Sequence, residues 1–128
     1  MTEKELCSEL GINFFVFEDA LYEDEAFYIP GLRTMFLSDK IMVEDRVKTI
    51  LHELGHRNHL PHLYTIFREK YEAQANRNMI HHLMKAELEE YEDKEQFNYL
   101  AFMQKYKLKT IADETMIKEE YTNLVSNF

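Results

Sequence analysis

The sequence predicts an α+β protein in which a small β-sheet precedes a group of helices. Apolar and aromatic runs typical of strands, such as I-N-F-F-V-F at 12–17, lie within the first 40 residues. Farther along, apolar residues recur at intervals of three and four, as in amphipathic helices. A chain of 128 residues is long enough for one domain with a hydrophobic core. We expect one domain over 1–128, with a core at 1–95 and a helical extension of it at 96–128.

The N-terminal elements are predicted from local signals. A first helix at 2–10 begins with Thr2 as its N-cap and stops at Gly11. Strands follow at 12–17, 26–29 and 34–37, and the turn sequence P-G-L-R separates the last two. We expect a three-stranded, mostly antiparallel sheet in which 34–37 is an edge strand.

Four helical segments are predicted after the sheet. The first runs from 43 or 44 to about 58, and Pro61 ends its pattern. The second begins between 63 and 66 and ends near 90, where the acidic run E-L-E-E-Y-E-D-K-E opposes the helix dipole. A third covers 96–106, and 111–124 forms one or two short final helices.

Composition excludes several functional classes. Twenty-four acidic and fifteen basic residues give a net charge of -9, which disfavours direct binding of nucleic acid and suits a basic protein partner. No apolar run reaches the roughly 18–20 residues of a membrane span, and the N-terminus has no apolar leader segment. Cys7 is the single cysteine, so no intrachain disulfide is possible. We expect a protein of the bacterial cytoplasm that binds no membrane.

The most informative motif is H-E-L-G-H at 52–56. On a helix, His52 and His56 lie one turn apart on the same face, where two imidazoles can bind one metal ion. Glu53, between them, can then act as general base on a water in the open coordination position. Gly55 lowers helix stability by roughly 1 kcal/mol relative to Ala, so we expect another backbone or the substrate to approach closely there.

Two residues compete as the third ligand. His62 follows His52 by ten residues, the third-histidine position of H-E-x-x-H-x-x-G-x-x-H, but this chain has His59 where that pattern needs glycine. Glu72 follows His56 by sixteen residues on the next predicted helix and would complete a His, His, Glu set for zinc. Asn76, one turn farther, could hydrogen-bond a ligand histidine.

The motifs H-E-L-G-H, E-A-Q-A-N-R and M-I-H-H-L-M together resemble the ImmA/IrrE family of metallopeptidases, in its short, phage or integrative-element form. The resemblance implies a zincin-like fold, with the sheet packed on the H-E-x-x-H helix and on a second ligand-bearing helix. It also implies a Zn2+ ion on His52, His56 and Glu72, with Glu53 as catalytic base. Asn78 departs from the family pattern, which usually has an aromatic or aliphatic residue there, and Lys85 stands where the family often has proline.

Two functional hypotheses follow. In the first, a zinc endopeptidase cleaves a specific protein, such as the helix-turn-helix repressor of its own phage or mobile element, and relieves repression. In the second, a catalytically silent zinc-binding module binds or blocks that repressor. The sequence does not choose the oxyanion-stabilising group among His59, His81, His82, Tyr64 and Tyr71. The acidic residues at 113, 114, 119 and 120 disfavour DNA binding by the last helices.

Overall fold

A computed structural model describes residues 2–56 and 63–126, and this part of the chain forms a three-stranded sheet and five α-helices. The elements in order are α1 (Glu3–Leu10), β1 (Asn13–Phe17), β2 (Ala26–Ile29), β3 (Thr34–Ser38), α2 (Val43–Leu54), α3 (Tyr64–Glu89), α4 (Tyr99–Lys105) and α5 (Ile111–Ser126). None of the helices in these ranges combines the length and apolar character needed to cross a bilayer. The α+β class is confirmed.

The sheet is mixed, so the predicted mostly antiparallel arrangement is wrong. The strand order is β1-β3-β2, with β3 antiparallel to β2 and parallel to β1. The segment 18–25 carries the chain past the end of β3 from one edge of the sheet to the other, a distance of about 10 Å for two strand spacings. Ser38 and Asp39 fix both ends of this crossing, since their N–H groups donate to Glu25 O (2.7 Å) and Phe17 O (2.8 Å). The strand at 34–37 is therefore central rather than an edge.

One face of the sheet packs on the helices. Met35 and Leu37 of β3 are fully buried, and Phe14, Ala26 and Tyr28 of the flanking strands pack beside them. The core continues through residues of all five helices: Leu6, Cys7, Ile50, Leu51, Leu54, Met79, Ile80, Leu83, Met84, Leu88, Phe102, Ile117 and Leu124. The side chains that alternate with these along the strands point to the opposite face.

Local signals set most helix boundaries as predicted. Thr2 Oγ1 accepts a hydrogen bond from Glu5 N (3.1 Å), and Gly11 ends α1 in the left-handed conformation at φ 69°. Helix α3 bends at Phe67, whose φ of -109° and ψ of 24° are not helical, and it ends in the acidic run as expected. The last segment forms one helix, α5, and α4 is shorter than predicted because a 3-10 turn occupies Lys94–Gln96.

Candidate metal centre

Helix α2 carries the first part of the motif at its C-terminal end. Its apolar stripe, with Ile50, Leu51 and Leu54 buried, fixes the helix against the core and leaves the adjacent face to polar side chains. The helix ends at Leu54, earlier than the predicted end near 58, and His56 N donates to Glu53 O at 3.1 Å. His56 therefore lies on a tightened turn just beyond the helix, although its ring still reaches that of His52.

Gly55 permits the closest contact between α2 and α3. A Cβ atom added to Gly55 would lie 2.7 Å from the Cα of Ala75 and 3.1 Å from its carbonyl oxygen. Ala75 itself is fully buried. The expected close approach at this glycine is thus made by another backbone, and it brings the end of α2 beside the turn of α3 that carries Glu72.

The structure brings His52, His56 and Glu72 together. His52 Nε2 lies 3.1 Å from Glu72 Oε2 and 3.3 Å from His56 Nε2, and His56 Nε2 lies 3.4 Å from Glu72 Oε1. Two ligands at about 2.0–2.1 Å from a tetrahedral zinc ion are separated by about 3.3–3.4 Å. These residues form the one group of metal-ligating side chains found in the described part of the chain, and their nitrogen and oxygen donors fit Zn2+.

The alternative third ligand and two candidates for the oxyanion-stabilising group are not described by the structure, and a further candidate contacts α5. His59 and His62 lie outside the described residues, as does the Tyr64 side chain. His81 Nδ1 is 2.9 Å from Glu120 Oε2 of α5, and Arg77 Nη1 donates to the other oxygen of that buried carboxylate at 3.2 Å. His81 therefore links α3 to α5.

Glu53 faces a cavity of about 570 Å³ between α2 and the start of β2. Burial, together with the smaller effects of the nearby carboxylates Glu72 and Asp24, raises the pKa of Glu53 to about 7. A carboxylate with a pKa near neutrality can both accept and return a proton. The lining of the cavity is mainly polar: Asp24, Glu25, Ala26, Lys40, Ile41, Met42, Asp45, Lys48 and Thr49.

A second cavity, of about 240 Å³, borders His52 on the side of α3 and α5. Asn76 lines it with Met79, Leu108 and Asp113, while Lys48 and Thr49 line both cavities. The role of Asn76 beside a ligand histidine stays a prediction. Lys48 and Thr49 precede His52 by four and three residues, so helical spacing alone could have identified them as neighbours of the site.

Asn78 is a contact that the motif analysis did not foresee. Its Nδ2 donates to Leu51 O at 2.9 Å, and Leu51 directly precedes His52. The same carbonyl accepts the N–H of Gly55 at 3.1 Å. Asn78 thus joins α3 to the last turn of α2, and the signal that could have revealed it was the polar residue at a position where relatives usually have an apolar one.

Comparison with known families agrees with the geometry. The family model of Peptidase M78, described as the IrrE N-terminal-like domain, matches residues 7–118. No curated protein and no solved structure matches the chain significantly. The matched range contains the sheet, α2, α3, α4 and the first half of α5. The chain therefore belongs to the Peptidase M78 family of IrrE N-terminal-like domains, a family of metallopeptidases.

Proposed function

We propose that the protein is a zinc-dependent endopeptidase in which His52, His56 and Glu72 hold the metal and Glu53 is the catalytic base. The observation that carries this proposal is the separation of the donor atoms of the three side chains, 3.1–3.4 Å, which is close to that of ligands around a tetrahedral zinc ion. Three protein ligands leave one position open, which is the arrangement of catalytic rather than structural zinc sites.

Zinc and Glu53 would have different roles in peptide hydrolysis. Zinc, when bound, supplies a Lewis acid that polarises the scissile carbonyl and makes a water more acidic. Glu53 takes a proton from the attacking water and later gives it to the leaving amine, so it begins and ends the cycle as a carboxylate. Its half-buried position beside the open cavity supports this double role, because burial raises the pKa of its carboxyl group and makes the protonated form more accessible.

A peptide substrate must lie in an extended conformation near Glu53, and β2 is the strand best placed to bind it there. The strand predicted for this purpose, at 34–37, is paired on both sides and cannot add another. Strand β2 is at the edge of the sheet, and Ala26 and the preceding Glu25 line the cavity that contains Glu53. We propose that a substrate segment pairs with the outer edge of β2, where main-chain hydrogen bonds supply affinity.

The proposed substrate is a specific basic protein, such as the helix-turn-helix repressor of the same phage or mobile element. A net charge of -9 favours encounter with a basic protein, and the resemblance to ImmA/IrrE members supports a repressor. The reaction would take place in the bacterial cytoplasm, where such a repressor binds its operator.

The first test is the metal content of the purified protein by elemental analysis. We expect about one zinc per chain in the wild type and in His62→Ala, and loss of zinc in Glu72→Ala. Zinc lost in His62→Ala but kept in Glu72→Ala would replace this ligand set with three histidines. A wild-type protein that takes up no added zinc would contradict the proposal.

The second test separates catalysis from binding. Glu53→Gln keeps the shape of the side chain but removes its basicity, so this variant should retain zinc and the repressor while cleavage is lost. Mass spectrometry of the incubated repressor measures the result. A wild-type protein that binds the repressor with zinc present and yields no fragments would favour the silent binding module, and cleavage by Glu53→Gln would contradict the role of Glu53.

A further inference from the structure

The sheet face opposite the helices carries a row of three phenylalanines. Phe15, Phe36 and Phe27 are register partners across β1, β3 and β2. The rings of Phe15 and Phe36 meet edge to face with centroids 6.0 Å apart, and those of Phe36 and Phe27 stack at 5.0 Å. Tyr22 extends the row, since its ring centroid lies 5.3 Å from that of Phe27.

These side chains are exposed or half-buried. Phe15 is 55% exposed, Tyr22 46% and Ile29 37%, whereas Phe27 and Phe36 are half-buried and lie outside the core cluster formed by the described residues. We call Phe15, Tyr22, Phe27, Ile29 and Phe36 the outer aromatic face. When water covers one face of a sheet, the residues on that face are commonly polar. A contiguous aromatic face instead marks a surface that another molecule covers.

An acidic segment borders this face at one end. Five of the eight residues at 18–25 are carboxylic acids, and none is basic. The segment is fixed to the sheet, because Ser38 Oγ donates to Asp19 Oδ1 at 2.7 Å and Asp19 N donates to Asp39 Oδ1 at 3.1 Å. Tyr22 also packs edge to face on the buried Phe17, with centroids 4.8 Å apart. The carboxylates therefore keep a defined position beside the aromatic rings.

The same acidic segment connects the outer aromatic face with the candidate active site. Asp24 and Glu25 line the cavity that Glu53 faces, and Asp24 contributes to the raised pKa of Glu53. Strand β2 belongs to both regions: Phe27 and Ile29 lie on the outer face, whereas Ala26 lines the cavity. A molecule that covers the outer aromatic face and extends past 18–25 would thus meet residues that also line this cavity.

The negative charge of the border at 18–25 indicates which kind of molecule could cover the outer aromatic face. Nucleic acid and anionic lipid would be repelled by the border at 18–25. A second copy would bring together two chains that each carry a net charge of -9, which opposes self-association. A protein surface with apolar side chains between lysines or arginines complements both the rings and the carboxylates, and arginine can also stack on aromatic faces.

We infer that the outer aromatic face, together with its acidic border, is a docking surface for a basic protein partner. Docking there holds the partner while one of its extended segments enters the neighbouring cavity. The identification of this partner with the substrate rests on the proposed function, whereas the docking itself does not require catalysis.

Binding of defined peptides tests the inference. The probe is a fluorescent peptide in which lysines flank a pair of leucines, and two matched peptides replace each Lys by Glu or each Leu by Ser. The zinc-loaded Glu53→Gln protein is used, so that cleavage does not consume the probe. We expect anisotropy to show binding of the Lys-Leu peptide at least about tenfold tighter than of either matched peptide. Amide shifts in NMR spectra should concentrate at residues of β1, β2 and 18–25.

Two variants and their controls locate the surface. Phe15→Ser removes the most exposed ring of the face, and Ile111→Ser removes an apolar side chain that is 83% exposed at the start of α5. Glu23→Lys reverses a charge of the border, and Glu92→Lys reverses an exposed charge outside it. We expect about tenfold weaker binding for Phe15→Ser and Glu23→Lys and unchanged binding for the two controls. Thermal unfolding by circular dichroism confirms that the variants are folded.

Several results would overturn the inference. Equal binding of the Glu-Leu peptide, equal effects of target and control variants, or amide shifts confined to other surfaces would each exclude this docking surface. Sedimentation that shows a dimer abolished by Phe15→Ser would assign the face to a second copy, and binding of anionic vesicles would assign it to a membrane. Because the assay needs no catalysis, docking without repressor cleavage would count against the proposed function alone. Repressor cleavage that Phe15→Ser leaves unchanged would count against the identification of the partner with the substrate, whereas peptide binding that this variant leaves unchanged would count against the docking surface.

Discussion

Substitution of Gly55 by alanine should have two opposing effects on stability, a gain in helix propensity and a steric clash with α3. Gly55 has helical dihedral angles, φ -63° and ψ -21°, so the backbone accepts alanine without strain, and helix propensity alone would favour it by up to about 1 kcal/mol. The new Cβ, however, would lie 2.7 Å from Ala75 Cα, and carbon atoms normally approach to about 3.5–4.0 Å. The end of α2 and the middle of α3 must therefore separate by roughly 1 Å.

This separation should reach the metal ligands. His56 follows the substituted residue directly, and Glu72 precedes Ala75 by one turn of α3. Zinc ligands tolerate displacements of only about 0.2 Å, so we expect zinc affinity to fall about ten- to a hundredfold. Overpacking of this kind typically costs about 1–3 kcal/mol, which equals or exceeds the gain in propensity of up to about 1 kcal/mol. The metal-free Gly55→Ala protein should consequently be up to about 2 kcal/mol less stable than the wild type.

Two measurements and a second glycine check the reasoning. Competition with a chromophoric chelator gives the zinc affinity, and urea unfolding of the metal-free protein gives the free energy of unfolding. Gly31→Ala is the matched control, since a Cβ there meets no described atom within 4 Å. It should leave both quantities nearly unchanged. Unchanged zinc affinity together with higher stability in Gly55→Ala would refute the role assigned to the contact between Gly55 and Ala75.

Three further predictions concern single side chains. The pKa of Glu53 is raised from 4.5 to about 7, so the protonated side chain stabilises the fold of the metal-free protein. This contribution to the free energy of unfolding is complete below pH 4.5 and is lost as the pH rises through about 7, and it amounts to at most about 3 kcal/mol. Glu53→Gln should remove this slope from urea unfolding measured across that range, and an equal slope in the variant would contradict the assignment. Asn78→Leu should weaken zinc binding several-fold, because the hydrogen bond to Leu51 O is lost. Asn78→Asp should weaken it as well, since a carboxylate cannot donate this bond. A chelator titration that gives the wild-type zinc affinity for Asn78→Leu would exclude this positioning role. Burial raises the pKa of Cys7 to about 11, so iodoacetamide at pH 8 should alkylate it only after denaturant is added, as mass spectrometry would show; rapid labelling of the native protein would contradict its burial.

The sequence allowed the cluster of His52, His56 and Glu72 to be predicted better than the sheet. His52 and His56 are close in the chain, and a helical turn sets their separation, so the spacing was sufficient for that pair. Glu72 required a second long amphipathic helix, which the apolar spacing of α3 revealed. The direction of β1 left no such trace, because the alternation of apolar residues is the same for a strand paired in parallel or antiparallel.

Contacts made by single atoms across elements were harder to anticipate. Gly55 suggested a close approach, but only the fold identifies Ala75 as its partner. The pKa of Glu53 is raised mainly by burial and then by Glu72 and Asp24. Asp24 is 29 positions earlier in the sequence and reaches the cavity only because 18–25 crosses the end of β3. Asn78 likewise acts on a carbonyl that every residue possesses, so no residue type at the receiving end could signal the bond.

The attachment of α5 to α3 has a consequence for how freely this enzyme scaffold could be shortened or recombined. Arg77 and His81, on the helix that supplies Glu72, both contact the buried carboxylate of Glu120 on α5. Removing α5 would therefore leave two polar side chains of the ligand helix without their partner and expose the apolar surface covered by Ile117 and Leu124. An exchange of the C-terminal helices between relatives would preserve the centre only if the donor also supplied an acid at this position, so the two parts of the chain are expected to vary together.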